Sequence, residues 1–182
     1  ERAGGVDIFN VGGGIPVNYS SSDKYDFKDY VEVISRAINT YLVDVLKGRS
    51  GSKEQMIAIE PGRAIVAEAV DLIIPIMAVE EGDNPAVYFN DGIYTSFIDH
   101  AVHKWTYNFE TMRKDGLPHR GRKKLYTLFG RTCDSGDTLG EVMLPEDIRE
   151  GDYIWVSSAG AYMDSLANPF HDFKPPKYII YN

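Results

Sequence analysis

The order of local patterns in the first third of the chain most constrains its fold. Residues 6–11 alternate polar and apolar side chains and stop at Gly12-Gly13-Gly14, as a strand followed by a glycine loop does. Residues 26–46 repeat apolar side chains at helical spacing, and residues 56–59 form a short apolar run typical of a buried strand. This order of strand, glycine loop, helix and strand predicts a β/α unit with two parallel strands.

The predicted helix has one apolar face. Asp23 or Asp26 can cap its start and Gly48 can end it. The spacing of the apolar residues predicts that they form core contacts and needs no ligand role to explain it. These residues are Phe27, Tyr30, Val31, Ile34, Ile38, Tyr41, Leu42 and Val45.

The second predicted strand leads into Glu60-Pro61-Gly62-Arg63. Ligand sites of α/β proteins gather at the carboxyl ends of strands, where this tetrapeptide offers a carboxylate to a basic ring and a guanidinium to a phosphate. The glycine triplet ends the first strand in the same way, and its backbone N–H groups could form an anion cradle. A flexible turn is the alternative interpretation of the triplet.

The pattern changes after Arg63. An apolar run covers residues 64–79, interrupted by Pro75, and strand-like runs follow at residues 86–90, 125–129, 153–156 and 178–181. A short helix is predicted only near residues 162–167. Short strands separated by Gly, Asp and Pro turns predict a mostly antiparallel β domain. We place the boundary near residue 66, giving domains of residues 1–66 and 67–182.

Composition excludes several function classes. The chain of 182 residues has 43% hydrophobic residues, enough for one ordinary core or two small ones. Its net charge of -8 gives no general attraction to nucleic acid or anionic lipid. One basic stretch, residues 103–124, is interpreted as a solvated loop between strands. The histidines show no spacing typical of a metal site.

Cys133 is the only cysteine, so no disulfide can form within the chain, and this fits a reducing, cytoplasmic location. No apolar run is long enough for a transmembrane helix. The first residues do not have the pattern of a signal peptide, and a strand begins almost at once. We therefore expect a piece of a longer protein.

Five motifs follow one another along the chain, and their order is informative. They are the glycine triplet, Glu60-Pro61-Gly62-Arg63, Asp91-Gly92-Ile93-Tyr94, Cys133-Asp134 within residues 130–137, and Gly160-Ala161-Tyr162. This order resembles the C-terminal half of the pyridoxal-phosphate-dependent decarboxylases of ornithine, lysine, diaminopimelate and arginine, and the ornithine/lysine branch most closely. The resemblance implies the end of an alanine-racemase-like (β/α)8 barrel, followed by a mostly antiparallel β-barrel or sandwich domain.

The resemblance implies pyridoxal 5'-phosphate as cofactor. Glu60 would keep its ring nitrogen protonated, which the chemistry of this cofactor requires. The phosphate would be bound by the glycine loop and its neighbours, namely Gly12, Gly13, Gly14, Gly62, Arg63 and Tyr162. An ordinary strand-end carboxylate or salt bridge is the alternative for Glu60, and a packed aromatic ring is the alternative for Tyr162.

The resemblance also implies a homodimer with shared active sites. Cys133 and Asp134 would serve the neighbouring subunit, the cysteine by directing protonation after CO2 is lost and the aspartate by pairing with the substrate's distal ammonium. Tyr94 would line this site and Phe170 would pack at the subunit interface near it. Asp99 would be a second carboxylate for the distal amine, although the segment before it is shorter than in the family. A buried small hydrophobic residue is the alternative for Cys133.

The expected reaction is α-decarboxylation of ornithine or lysine to a diamine. A diaminopimelate-type decarboxylase is one alternative, although that branch usually has a glutamate where this chain has Asp134. A non-catalytic homologue acting as a binding or regulatory subunit is another. The family's Schiff-base lysine has no counterpart here, since Lys24, Lys28, Lys47 and Lys53 lie in the wrong contexts. We therefore expect this chain alone to be inactive.

Overall fold

The computed structural model describes residues 8–42 and 56–180. The chain divides into two compact units, residues 1–66 and residues 67–182. Each unit is described by itself below.

The first unit contains a pair of parallel strands. Strands β1 (Ile8–Asn10) and β2 (Met56–Ala58) pair in register, with Ile8 opposite Met56. Helix α1 (Phe27–Ala37) lies between them in the chain and continues as a short π-helix, Ile38–Leu42. A second helix, α2 (Gly62–Val66), follows β2. The predicted order of strand, glycine loop, helix and parallel strand is confirmed.

Helix α1 differs from its prediction in its end and in its burial. Asp26 caps it by accepting a hydrogen bond of 2.8 Å from the Lys28 N–H. The helix ends at Ala37, whereas residues 43–46 and Gly48 lie outside the described residues. None of its residues is buried, and Phe27 is 48% exposed, so the prediction of a core-forming face is wrong for the helix from Phe27 to Ala37. The side chains of Tyr41, Leu42 and Val45, predicted on the same face, lie outside the description. The described part of the unit offers only two short strands, too little surface to cover an amphipathic helix.

The second unit is built on a sheet of six strands, in the order β5-β8-β3-β4-β6-β7. Four of its pairings are antiparallel, and only β4 and β6 are parallel. The prediction of a mostly antiparallel β domain is confirmed. The strands are β3 (Leu72–Glu80), β4 (Ala86–Phe89), β5 (Phe109–Met112), β6 (Lys123–Phe129), β7 (Thr138–Pro145) and β8 (Tyr153–Val156).

The core of this unit lies on one face of the sheet. In β3, Leu72, Ile74 and Ile76 are buried while Ile73 is 52% exposed, as expected for a strand with alternate side chains on opposite faces. Helix α3 (Ile98–His103) follows β4 and is preceded by Phe97, which is fully buried. The other large buried side chains include Phe89, Tyr126, Leu128, Leu144, Ile154 and Val156.

Several element predictions are confirmed and others are wrong. The strands predicted at residues 86–90, 125–129 and 153–156 are β4, β6 and β8. The predicted helix at residues 162–167 is a series of bends and turns, and residues 178–180 form no strand, since they have no strand beside them to bond. The basic stretch 103–124 is not only a loop, because β5 lies within it.

Within residues 8–42 and 56–180, no helix has the length and hydropathy that crossing a membrane requires.

Candidate functional site

In the first unit, the glycine triplet touches the Glu60 motif. The Glu60 N–H donates to the Gly12 carbonyl oxygen at 2.8 Å, which extends the pairing of β1 and β2 beyond the strands. A Cβ atom at Gly13 would lie 2.0 Å from the Glu60 carbonyl oxygen, far inside contact distance. Only glycine therefore fits at this position. The structure brings these two predicted parts of the cofactor site together.

Two backbone N–H groups of the glycine loop are available to a ligand. Gly12 and Gly14 adopt φ angles of 77° and 83°, which favour glycine, and nothing lies within 4 Å of where their Cβ atoms would be. The Gly12 N–H donates to Asn10 Oδ1 at 2.8 Å. The N–H groups of Gly13 and Gly14 have no hydrogen-bond partner in the described part of the chain. Two exposed amides in an open loop fit a phosphate group.

The Glu60 carboxylate has a neutral partner. Its Oε1 accepts a hydrogen bond of 2.6 Å from Asn10 Nδ2, and the residue is exposed. The alternative of a salt bridge thus has no support from the described residues. Sequence reasoning missed Asn10, the last residue of β1, because nothing in its local sequence shows that it would reach Glu60.

Gly62 and Arg63 follow at the start of α2. The Gly62 N–H donates to the Glu60 carbonyl oxygen at 2.9 Å. The Arg63 Nη1 donates to the Tyr19 hydroxyl, and the guanidinium lies 5.5 Å from the centre of the Tyr19 ring. Tyr19 is buried and thereby fixes one end of the guanidinium. A guanidinium carries five N–H donors in a plane, so it can bind Tyr19 and a phosphate at once.

In the second unit, Tyr94 and Asp134 form a hydrogen-bonded pair. The Tyr94 hydroxyl donates to Asp134 Oδ2, and the Gly136 N–H donates to Oδ1 at 2.9 Å. These two bonds, the Tyr94 bond foremost, lower the pKa of Asp134 against a weaker opposing effect of burial. The same bond to Asp134 raises the pKa of the Tyr94 hydroxyl. Asp134 is therefore an anion at neutral pH, beside the exposed thiol of Cys133.

The loop that carries Tyr94 is organised by the buried carboxylate of Asp91. Asp91 is 3% exposed and accepts hydrogen bonds from the Gly92 N–H at 2.8 Å and from the Ser96 N–H and hydroxyl at 3.0 and 2.7 Å. The Thr95 hydroxyl also donates to it. A buried carboxylate satisfied by this many donors holds the loop in one conformation.

Asp137 connects that loop to the loop of Cys133 and Asp134. Its carboxylate accepts from the Ile93 N–H at 2.9 Å, and from the Thr132 N–H and hydroxyl at 3.1 and 2.7 Å. A Cβ at Gly92 or Gly130 would lie 2.3 or 2.2 Å from Asp137 Oδ1, so the carboxylate fills the space that these glycines leave. Sequence reasoning assigned Asp137 no role, because nothing in its local sequence shows that it would reach across to Ile93.

Tyr162 belongs to the second unit, in a turn after Gly160. The Gly160 N–H donates to the Ala67 carbonyl oxygen at 2.8 Å. Tyr162 itself has a φ angle of 68° and is 44% exposed. A left-handed backbone is costly for a large side chain and is concentrated at functional sites. The exposure argues against a ring packed in the core.

Asp99 was expected to bind the substrate's distal amine, and Phe170 was expected to pack at the subunit interface. Asp99 is 1% exposed on α3, with Oδ1 3.7 Å from His103 Nε2, so its carboxylate does not face solvent. Its role toward a substrate stays a prediction. The Phe170 ring centre lies 4.5 Å from that of Tyr94 in the same chain. Among the described residues, no group of three or more His, Cys, Asp and Glu side chains is arranged to hold a metal ion.

The sequence matches a family model described as the pyridoxal-dependent decarboxylase, C-terminal sheet domain, over residues 20–160. The match covers most of the chain and includes the loops of Tyr94, Cys133 and Asp134.

Individual relatives come from three functional groups. A diaminopimelate decarboxylase of Actinosynnema pretiosum is 35% identical over 124 residues, which cover 68% of this chain and 27% of the relative. Antizyme inhibitor 2 of Xenopus laevis is 30% identical over 187 residues, covering 92% of this chain and 37% of the relative. A crystal structure of lysine/ornithine decarboxylase from Vibrio vulnificus, complexed with cadaverine, has a TM-score of 0.78 at 27% identity and covers 97% of this chain and 44% of that one.

The chain spans less than half the length of the first curated relatives it matches, 40% for one and 27% for another.

Proposed function

This chain belongs to the pyridoxal-dependent decarboxylases, and we propose that the whole protein removes the α-carboxylate of ornithine or lysine to give a diamine. The observation that carries the proposal is the Tyr94–Asp134 pair beside the exposed Cys133. An aspartate whose pKa is lowered stays charged at neutral pH and complements the distal ammonium of a basic amino acid. A neutral side chain would leave that charge without a partner.

The first unit would bind the cofactor, pyridoxal 5'-phosphate. The free amides of Gly13 and Gly14, with the Arg63 guanidinium, would hold its phosphate. Gly62 and Tyr162 stay predicted phosphate contacts, although the Gly62 N–H already donates to the Glu60 carbonyl oxygen. Glu60 would hold a proton on the ring nitrogen, with its carboxylate oriented by the Asn10 amide. When bound, the cofactor would supply the electron sink for the bond that breaks when CO2 leaves.

Other residues of this chain would bind the substrate and deliver a proton. Asp134 would bind the distal ammonium, fixed in orientation by the Tyr94 hydroxyl and the Gly136 N–H. The Cys133 thiol would deliver the proton that replaces the carboxylate on the α-carbon. Asp99 would contribute only if α3 moved, because its carboxylate is buried.

We also propose how this chain fits into the enzyme. Residues 1–66 would be the last part of a (β/α)8 barrel whose other strands lie outside this chain, and the lysine that binds the cofactor would lie there too. Two copies would form a homodimer in which Cys133 and Asp134 serve the partner's active site. A lone cysteine supports a cytoplasmic location for the enzyme.

The test is release of CO2 by the full-length protein from ornithine, lysine and meso-diaminopimelate. We expect activity with ornithine or lysine, and Asp134→Asn should raise KM at least ~10-fold, because a charge-assisted hydrogen bond is lost. Glu150→Gln is the matched control, since Glu150 is exposed and should leave KM unchanged. Activity with meso-diaminopimelate alone would overturn the choice of substrate.

Two relatives favour other functions. The diaminopimelate decarboxylase has the highest identity of those named above, and the same assay separates that function from ours. Antizyme inhibitor 2 supports a non-catalytic regulatory subunit. No release of CO2 from any of the three substrates, by a protein that still binds the cofactor, would favour that function over catalysis.

A further inference from the structure

We propose that Arg131 is a positioning residue, which anchors the C-terminal segment (residues 168–174) so that Tyr94 holds Asp134 in the orientation that binds a distal ammonium. The inference rests on the proposed function, since it concerns the substrate side of that site. Arg131 itself touches neither substrate nor cofactor.

Arg131 joins three parts of the second unit. Its backbone N–H donates to the Asp91 carbonyl oxygen at 2.9 Å, in the loop that carries Tyr94. Its Nη1 donates to the Asn90 carbonyl oxygen at 3.4 Å and its Nη2 to the Lys174 carbonyl oxygen at 3.3 Å. Its guanidinium lies 4.2 Å from the centre of the Phe173 ring. One side chain thus ties the end of β4 to the C-terminal segment.

Arg131 is half-buried, and its Nε is the part of the side chain that water does not reach. Its Nε is buried and has no hydrogen-bond partner among the described residues. Leaving a buried donor without a partner costs free energy, so an arginine with no structural duty would turn this group toward water. The guanidinium instead stays between two carbonyl groups and an aromatic ring, an arrangement that its planar shape suits.

The same segment contacts Tyr94 at its other end. The Asn168 N–H donates to the Tyr94 carbonyl oxygen at 3.0 Å. The Phe170 ring packs on the Tyr94 ring at 4.5 Å, and His171 stacks on Phe170 at 4.0 Å. The position of the Tyr94 ring, and therefore of the hydroxyl that donates to Asp134, depends on where this segment lies.

Between these two anchors the backbone is strained. His171 and Asp172 have φ angles of 57° and 59°, which side-chain-bearing residues rarely adopt. Such conformations persist only where the surrounding contacts impose them. Arg131 supplies the contact on the C-terminal side, so the strain should relax when Arg131 is lost.

The chain from the end of this segment onward lies over a cavity. A cavity of about 780 Å³ is lined by Lys174, Pro175 and Pro176 as well as by Leu72 and Ile74 of β3. Arg131 lines the same cavity. Residues 174–176 therefore do not rest on a filled core. Arg131 restrains the near end of this stretch, and the Tyr178 side chain interacts with Asp164 further on.

The experiment measures amine binding to the full-length holoenzyme by calorimetry. The probes are 1,5-diaminopentane and 1-aminopentane, which differ only in the distal ammonium. The variant Arg131→Met removes the donors and the charge but keeps an unbranched side chain as far as the position of Nε. We expect it to weaken binding of the diamine roughly tenfold, the size of one lost hydrogen bond to a charged group, and to leave binding of the monoamine unchanged.

A double-mutant cycle separates positioning from general damage. In the Asp134→Asn background, Arg131→Met should have no further effect on the diamine, because the carboxylate that it orients is gone. Arg149→Met is the matched control, since Arg149 is exposed and its side chain makes no hydrogen bond among the described residues. Equal weakening of both amines, or additive effects in the cycle, would overturn the inference.

A direct measurement of the segment completes the test. Amide hydrogen exchange over residues 166–180 should accelerate in Arg131→Met and not in Arg149→Met. If Arg131→Met does not fold, Phe173→Leu removes the ring under the guanidinium and should change binding and exchange in the same direction. Unchanged exchange would overturn the inference. A wild-type enzyme that binds both amines equally, with Asp134→Asn also without effect, would overturn the proposed function and this inference with it.

Discussion

At the scale of single residues, Tyr94 links Phe170 to Asp134. Tyr94 packs on Phe170 through its ring and donates to Asp134 through its hydroxyl. Asp134 is thereby held without a cation beside it among the described residues. Its negative charge remains available to a cationic ligand.

This bond predicts how stability depends on pH. Asp134 has a folded-state pKa below its unfolded value of ~3.9, so its contribution is complete above that value and is lost as pH falls through the folded pKa. Tyr94 has a folded-state pKa above its unfolded value of ~10, so its contribution is lost as pH rises through the folded pKa. The difference in unfolding free energy between wild type and Tyr94→Phe should be flat between about pH 5 and 9 and shrink at both extremes.

Urea unfolding at a series of pH values measures this difference. Tyr153→Phe is the control, because the Tyr153 hydroxyl has no hydrogen-bond partner in the described ranges. Its difference from wild type should not vary with pH. A Tyr94→Phe difference that stays constant down to about pH 2 would contradict the assigned bond.

At this scale, the sequence predicted the candidate site residues but not the residues that hydrogen-bond to them or hold their loops in place. The contact between the glycine triplet and Glu60 was predictable, because parallel strands end at the same edge of a sheet. The partners Asn10, Asp137 and Arg131 were not. Asp137 and Arg131 act across large sequence separations on carbonyl and N–H groups, which leave no trace in the local pattern of side chains.

At the scale of elements, strands with strong apolar patterns were predicted and strands with mixed patterns were missed. Strands β4, β6 and β8 contain Val, Ile and aromatic residues in short runs. Strand β5 lies in the basic stretch, and the charged residues around it mask the strand pattern of its four residues. Strand β7 contains Gly140 with a φ angle of 78°, and glycine inside a strand weakens the signal.

Strand β7 offers a matched pair of substitutions on its two faces. Leu144 is completely buried, whereas Met143 beside it is 48% exposed. Leu144→Ala should lower the unfolding free energy by about 3 kcal/mol, through lost burial and the cavity that remains. Met143→Ala should lower it by less than about 0.5 kcal/mol. Chemical denaturation of the intact protein measures both, and equal effects would place β7 in the wrong register.

At the scale of the whole molecule, the predicted site residues are divided between two units. The glycine triplet, Glu60 and Arg63 belong to the first, and Tyr94, Cys133 and Asp134 belong to the second. A homodimer with shared sites would need both sets, one from each subunit, around a single cofactor.

Mixing two impaired variants tests this arrangement. Glu60→Ala removes the cofactor side and Asp134→Ala removes the substrate side. When the full-length variants are co-expressed, half of the dimers should be mixed and one of their two sites intact, which restores roughly a quarter of wild-type activity. Glu60→Ala mixed with Arg63→Ala is the control and should restore nothing. No recovery in the first mixture would show that each site is built from one chain.

The position of β3 in the sheet also determines when this unit can fold. Its second half pairs with β4, which follows directly, but Leu72 to Pro75 pair with β8, the last strand of the sheet. During synthesis, the first half of β3 leaves the ribosome long before its partner does. Until β8 has been synthesised, the first half of β3 is an unpaired strand edge, which can pair with another chain. We therefore expect the sheet to be complete only when translation of the unit is nearly finished, and the edge of β3 to need shielding until then.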